Sequence, residues 1–354
     1  MELLIENVIE NPSAYMGARV SEERMTAPRM PEMTLADFVE SRFVPEYVAH
    51  KRPSGRAHFY GILKHILSAE RVDRAFQASG RSARQKPSAD WPYMDSISLS
   101  EISPDRVEDL IAKLVQRGYS IQTATHIRNV LRSIFAHAIK AGCFAGTNPA
   151  SLVTLPAMAR KSVHSLSMNQ LTQLMMHLQN PEREIALISL FTEMRVAEIC
   201  GLQWKYVNLS AARTRINGDW LPPMTIAVRK QSYRSQVTPV MEHRKRNHRI
   251  PELLSYILGA LRDRSKSTNP EDFLLASRNG TPVSQENLGA RRLKKIGTAL
   301  DMPWLSWDVF HRTHFALIST SGKDLQQDLK RAISIEATLA PTRRDISGNA
   351  RFAR

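Results

Sequence analysis

The sequence has little cysteine. Cys143 and Cys200 are the only two among 354 residues, too few for a disulfide framework or a zinc site. Each reads as a small buried apolar side chain in a reducing, cytoplasmic setting. His126, His137, His243 and His248 show no metal-ligand spacing, so neither a metal nor another cofactor is expected. Long apolar runs are missing too. No stretch reaches about 18 apolar residues, which excludes a membrane-spanning helix. The opening "MELLIENVIENPSAYMGARV" has no basic start followed by an apolar core, so no secretory signal is expected. Acidic charge is in short supply: Lys and Arg number 49 against 34 Asp and Glu, a net charge of +15. A polyanion is the natural partner for that balance, and nucleic acid is the usual one; a generically basic surface is the alternative reading.

What is present is an ordinary globular balance, 42% hydrophobic and 23% charged, in a chain long enough for two domains. Residues 1–32 are mixed and rich in Pro and Met, and read as a flexible arm. Residues 33–148 read as helices. "TLADFVESRFVPEYV" sets Leu35, Phe38 and Phe43 on one face, with Pro45 as an interruption. "SPDRVEDLIAKLVQRG" has Ser103 as N-cap, Pro104 in the first turn and Gly118 as the stop. "SIQTATHIRNVLRSIFAHAIKAG" repeats Ile127, Leu131, Ile134 and Ala138 on one face and carries Arg128, Arg132 and Lys140 on the other. That cationic face is either solvated or laid against a phosphate backbone. Residues 149–163 break all periodicity and read as a linker.

From 164 to 354 the chain changes character. "SLSMNQLTQLMMHL" is a helix with Ser167 as cap, and "NPEREIALISLF" another with Asn180 as cap and Pro181 in the first turn. Met175 and Met176 read as core fillers. "TRINGDWL" reads as strand around an Asn-Gly turn, and "MTIAVRK" after it as a further strand. A cation-rich stretch, Gln231 to Arg249, precedes the helix of "HRIPELLSYILGAL", and "ENLGARRLKKIGTAL" is a basic helix. The expected architecture is mainly α: a helical N-terminal domain, then helices around a small antiparallel sheet.

One stretch is chemically odd. In "LFTEMRVAEICGLQWKYVNL" the cation Arg195 stands at the joint of two apolar helical pieces. "TEMRVAEICGLQWKYVNL" resembles the "TGLRxxEhxxLxWxDh" box (h, hydrophobic) of the tyrosine recombinases, the phage integrase group, at Thr192, Arg195, Glu198, Leu202 and Trp204. "LLASRNGTPVSQENLGARRLKKIG" and "WLSWDVFHRTHFALISTSG" resemble later segments of the same family, and "SIQTATHIRNVLRSIFAHAIKAGCFAGTNPA" its core-binding helix and linker. The likeness spans roughly residues 34 to 345. It implies a two-domain clamp on double-stranded DNA, a helical core-binding domain joined to an α+β catalytic domain, working as a homo- or hetero-oligomer. It also implies a reaction, attack of a tyrosine hydroxyl on a phosphodiester. Arginines would neutralise the growing charge, since the guanidinium fork grips two phosphate oxygens. Arg195 is the candidate, with Glu198 one turn on to orient it. Trp204 reads as core rather than as a stacking platform.

The departures bear on activity. In the family's His-x-x-Arg box, Asp308 takes the histidine's place and His311 the arginine's. Asp308 has the wrong sign, and His311 is only partly charged near pH 7. Arg312 follows directly but would point about 100° away on a helix. Lys330 and Arg331 stand where the family has a Gly-His turn. Tyr256 is the last tyrosine of the sequence, and Thr342 occupies the nucleophile's place, with the C-terminus altered or truncated relative to the family. A threonine hydroxyl without an adjacent base is a poor nucleophile. Spacing puts Met241 or His243 at the family lysine, with Lys245 near by as a candidate proton donor. Alternatively Arg244, Lys245, Arg246 and Arg249 are simple phosphate contacts, as are Arg291, Arg292, Lys294 and Lys295 on the basic helix. Three readings remain: a recombinase that still cuts and joins DNA, an inactive relative acting as a DNA-binding or accessory module, and a decayed reading frame.

Overall fold

The computed structural model describes residues 33–78, 91–156, 162–216, 218–266 and 268–321, the side chains to 316. The arm 1–32 and the positions Lys330, Arg331 and Thr342 lie outside the described residues. The chain divides into two compact units, Met1–Ala159 and Arg160–Arg354.

The first unit is helical. Helix α1 (Leu35–Phe38) starts on Thr34, whose hydroxyl accepts the Asp37 N–H. It runs on as a π-wound segment, Val39–Val48, straight through Pro45. The sequence placed a break there. The wider winding moves the carbonyl one turn back away from the pyrrolidine ring, so the helix passes the proline instead of stopping. Helices α2 (Pro53–Leu63), α3 (Ala69–Ala75), α4 (Pro104–Gln116) and α5 (Ile121–Lys140) follow. Ser103 and Ser120 cap the last two, accepting the N–H of the third helical residue, and Gly118 and Gly142 end them with φ of +80° and +69°. Phe38, Phe43, Leu110, Leu114, Ile127, Leu131, Ile134 and Phe135 make the core. The expected linker begins inside this unit. Asn148 caps a short helix, α6 (Pro149–Leu152), and Pro149, Ala150 and Val153 are buried. An Asn-Pro pair here starts a helix because Pro at the first position lacks only an N–H that would go unbonded anyway.

In the second unit, α7 (Met168–His177) opens with a capping box between Ser167 and Gln170. Met175 is fully buried but Met176 is 48% exposed, so only the first of the pair fills core. The next residue on a helix turns about 100° onward, here out of the core. Helix α8 (Glu182–Thr192) has Pro181, not Asn180, at the N-cap. Helix α9 (Val196–Cys200) follows after a three-residue joint. Strands β1 (Val207–Asn208), β4 (Thr225–Val228) and β7 (Arg246–Arg249) form an antiparallel sheet in the order β1-β4-β7. Hairpins β2–β3 (Thr214–Ile216, Asp219–Leu221) and β5–β6 (Lys230–Tyr233, Gln236–Pro239) flank it. Helices α10 (Glu252–Arg264), α11 (Gln285–Leu288, continuing π-wound over Gly289–Leu293), α12 (Lys294–Ala299) and α13 (Trp307–Ser321) complete the unit. Trp204 lies in its core, 6% exposed. Cys200 is buried, with its thiol pushed up to about 12 by burial; Cys143 is only half-buried, and both are free. The architecture is mainly helical with small antiparallel sheets, as expected.

Candidate functional site

The joint between α8 and α9 explains the position of Arg195. Helix α8 ends because Glu193 adopts a left-handed backbone, φ +51° and ψ 13°. Three bonds stitch the turn. The Thr192 hydroxyl donates to the Ile188 carbonyl at 2.5 Å, the Ser189 hydroxyl donates to the Met194 carbonyl at 3.0 Å, and the Met194 N–H donates to Thr192 Oγ1 at 3.4 Å. Met194 is fully buried and anchors the turn. Arg195 is then extended, φ −76° and ψ 149°, and caps α9. Its side chain is exposed and has no ion pair or hydrogen bond with the described residues. A cation so placed keeps its whole guanidinium fork available for an anion.

Glu198 does not hold the Arg195 side chain, contrary to expectation. Its Oε2 accepts the Arg195 main-chain N–H at 2.9 Å, and its two oxygens take a bidentate grip from Arg246, 2.9 Å from Nη1 and 2.7 Å from Nη2. The carboxylate is 2% exposed. Burial alone would raise its pKa, but the Arg246 and Arg195 hydrogen bonds outweigh it and hold Glu198 below the ordinary carboxylate range. Arg246 is therefore no free phosphate contact. Strand alternation is the reason: Arg246 and His248 point inward from β7 while Asn247 and Arg249 point out.

Helix α13 brings the second box to the same joint. His311 lies against Arg195, and burial first, then the Arg195 charge, hold its pKa below the usual imidazole value. Its Nδ1 is buried without a partner. Asp308 is exposed one turn earlier. Arg312 points elsewhere, its Nε donating to the His164 carbonyl at 3.2 Å, so it does not stand in for His311. His314 Nδ1 lies 2.6 Å from the Leu190 carbonyl, and Thr313 receives the Leu166 N–H at 2.9 Å. Two groups of this cluster were not read as part of a site from the sequence. His248 lies 4.0 Å from the Glu193 carboxylate, and Glu193 itself stands where the quoted box has glycine. That mismatch was the available signal: a left-handed residue is usually glycine.

Lys245 is not part of this cluster. It is exposed at the foot of β7, paired with Glu242 at 2.7 Å. Arg244 and Arg249 are exposed, as are Arg291, Lys294 and Lys295. Arg292 grips the buried Glu182 at 3.2 Å and so ties its helix to α8. In the first unit, Arg132 and Lys140 are exposed and line a cleft of about 680 Å³ with Asn129, Ser133 and His137. Arg128 is half-buried and donates to the Val153 carbonyl at 3.3 Å, which makes it a tie to the end of α6. Among the described residues no group of His, Cys, Asp and Glu could hold a metal ion, and no helix is long and apolar enough to cross a membrane.

Comparison with known proteins places this geometry. Residues 164–315 match the phage integrase family. No curated protein matches the sequence. Among solved structures, the integrase of the Tn1549 transposon in complex with a circular intermediate DNA is similar at 13% identity, over 87% of this chain and 94% of that one, with a TM-score of 0.60. A lambda integrase tetramer bound to a Holliday junction is similar at 13% identity, over 91% and 83%, TM-score 0.53. A lambda integrase dimer bound to a COC′ core site is similar at 14% identity, over 91% and 99%, TM-score 0.51. Residues 164–315, within the second unit, thus match the phage integrase family, and the chain shares the fold of these integrases.

Proposed function

We propose that the protein binds duplex DNA as a tyrosine-recombinase-type protein in the cytoplasm, needs no cofactor, and assembles on its site with further recombinase subunits. In this reading both units bind the DNA, residues 33–148 as the core-binding part and 164–354 as the catalytic-type part. The reading rests on the family match of residues 164–315, and the net charge of +15 supports it. Arg195 is the phosphate-binding cation, Glu198 and Arg246 its rigid support, and the exposed Arg132, Lys140, Arg244, Arg249, Arg291, Lys294 and Lys295 are backbone contacts.

The chain as it stands does not cleave DNA. No tyrosine follows Tyr256, and His311, held uncharged at neutral pH by burial and Arg195, cannot replace an arginine. Losing one transition-state donor costs about 10² to 10³ in rate, and losing the nucleophile removes the covalent route. The test is a suicide DNA substrate with a nick near the exchange point. No SDS-resistant protein–DNA adduct is expected from the unmodified chain. Combining Thr342→Tyr with Asp308→His, His311→Arg and Arg331→His is expected to give one, and Arg195→Ala in that background to remove it. An adduct from the unmodified chain overturns the inactive reading and leaves an active recombinase with a different nucleophile.

A further inference from the structure

The cluster at the α8–α9 joint contains a carboxylate that no structural need explains. Glu193 holds a left-handed backbone, φ +51°, which costs a non-glycine residue on the order of 1 kcal/mol. Its carboxylate makes no hydrogen bond with the described residues; its nearest basic partner is His248 at 4.0 Å. The charged and titratable groups of this cluster come from three elements. β7 supplies Arg246 and His248, α13 supplies Asp308, His311 and His314, and α9 with its N-cap supplies Glu198 and Arg195. His248 and His311 are both held below the ordinary imidazole value, burial being the leading cause, so neither adds charge at neutral pH. Glu198 is saturated by Arg246. Arg195, Glu193 and Asp308 all act on His311, and of the two carboxylates Glu193 is the nearer to Arg195 along the chain, two residues before it.

We propose that Glu193 is an internal anion that sets the phosphate affinity of the Arg195 site, an autoinhibitory charge built into the turn. Its negative charge opposes a phosphodiester oxygen arriving at Arg195. The inference rests on the reading of Arg195 as the phosphate-binding cation. A carboxylate within several ångströms of a bound anion, part-screened by solvent, weakens that anion's binding by about five- to tenfold. The side chain is about one-third exposed, 36%, so it can turn to solvent when a substrate with more contacts displaces it.

The experiment titrates inorganic phosphate into the full chain at neutral pH and follows the His311 ring signals by NMR. Glu193→Gln keeps size and removes charge; Glu193→Gly removes both and suits the left-handed backbone; Glu193→Asp keeps the charge. The glutamine and glycine variants are expected to bind phosphate about five- to tenfold more tightly than the parent, the aspartate variant about equally. Arg195→Ala combined with Glu193→Gln is expected to abolish the gain. If the glutamine and glycine variants bind as the parent does while Arg195→Ala weakens binding, Glu193 is only a turn residue and the proposal falls while the phosphate site stands. If Arg195→Ala changes nothing in any background, the phosphate reading of Arg195 falls with it. Thermal melting of each variant, expected to match or exceed the parent for glycine, separates a charge effect from misfolding.

Discussion

Arg246 shows how far a single side chain's role depends on its partner. It lies in a run of cations, yet it holds the buried Glu198 with two hydrogen bonds. Removing it as Arg246→Ala leaves a carboxylate that is 2% exposed without its counter-ion. A wholly buried pair broken this way costs about 3–5 kcal/mol. Arg246 keeps 30% of its side chain exposed, so we expect about 2–3 kcal/mol after allowing for solvent screening. The pH dependence has a definite sign. In the parent, Glu198 titrates below its ordinary 4.5, so its stabilisation is present above that pH and is lost as pH falls through the lowered value. In the variant the Arg246 contributions are gone and burial is opposed only by the Arg195 N–H and the Arg244 charge, so Glu198 titrates higher than in the parent; the destabilisation is largest at pH 7 and shrinks as pH falls through its titration range. Urea unfolding across that range checks both. His311 carries the opposite lesson. Its folded pKa is depressed, so the unfolded chain binds the extra proton and stability falls as pH drops through the ordinary 6.5. An NMR titration should find its midpoint below 6.5, and Arg195→Ala should move that midpoint upward. An unshifted midpoint would sink the claim that His311 is uncharged at neutral pH.

At the scale of elements, the joint is held in place by one close approach. Gly201 follows α9, and a Cβ added there would lie 2.7 Å from the main chain of Gln231 on β5. That contact seats the β5–β6 hairpin against α9 and with it the turn that carries Arg195. Gly201→Ala must therefore push backbone against backbone, at an expected cost of about 1–3 kcal/mol. Thermal melting measures the loss, and an unchanged midpoint would show that the hairpin does not bear on the joint. Most helix ends were readable beforehand. Ser103, Ser167, Gly118 and Gly142 act by local hydrogen bonding and local backbone freedom, which neighbours in sequence control. Pro45 and the Asn148–Pro149 pair were not. Proline's effect depends on whether packing favours a wider winding or a new helix start, and burial of Val48 and Val153 decides that.

For the whole molecule the testable quantity is the salt dependence of DNA binding. With several phosphates neutralised, the log–log slope should be several units, about 0.9 per phosphate. Exposed cations and structural cations should separate. Arg132→Ala and Lys140→Ala should each lower the slope by about one, since both side chains line the open cleft on α5. Arg128→Ala should instead lower thermal stability with little change in slope, because its guanidinium is tied to Val153. Filter binding at two salt concentrations reads the slopes. Binding that ignores salt would overturn the DNA reading.

The sequence alone determined the class of the molecule: a basic two-part chain, mainly helical, with the family box around Arg195. Those properties come from periodicity, caps and composition, which are local or additive. It also determined that no tyrosine lies downstream of Tyr256, a matter of counting. Tertiary structure decided which cations are free. Arg128, Arg246 and Arg292 read the same as Arg132, Arg244 and Arg291 in a list of charges, but the first three meet a carbonyl or a buried carboxylate brought from elsewhere in the chain. It also placed His311, His248 and Glu193 at the same joint from three separate elements. A charge acquires its role from what lies within a few ångströms, and for these residues that neighbourhood is assembled by segments tens of residues apart.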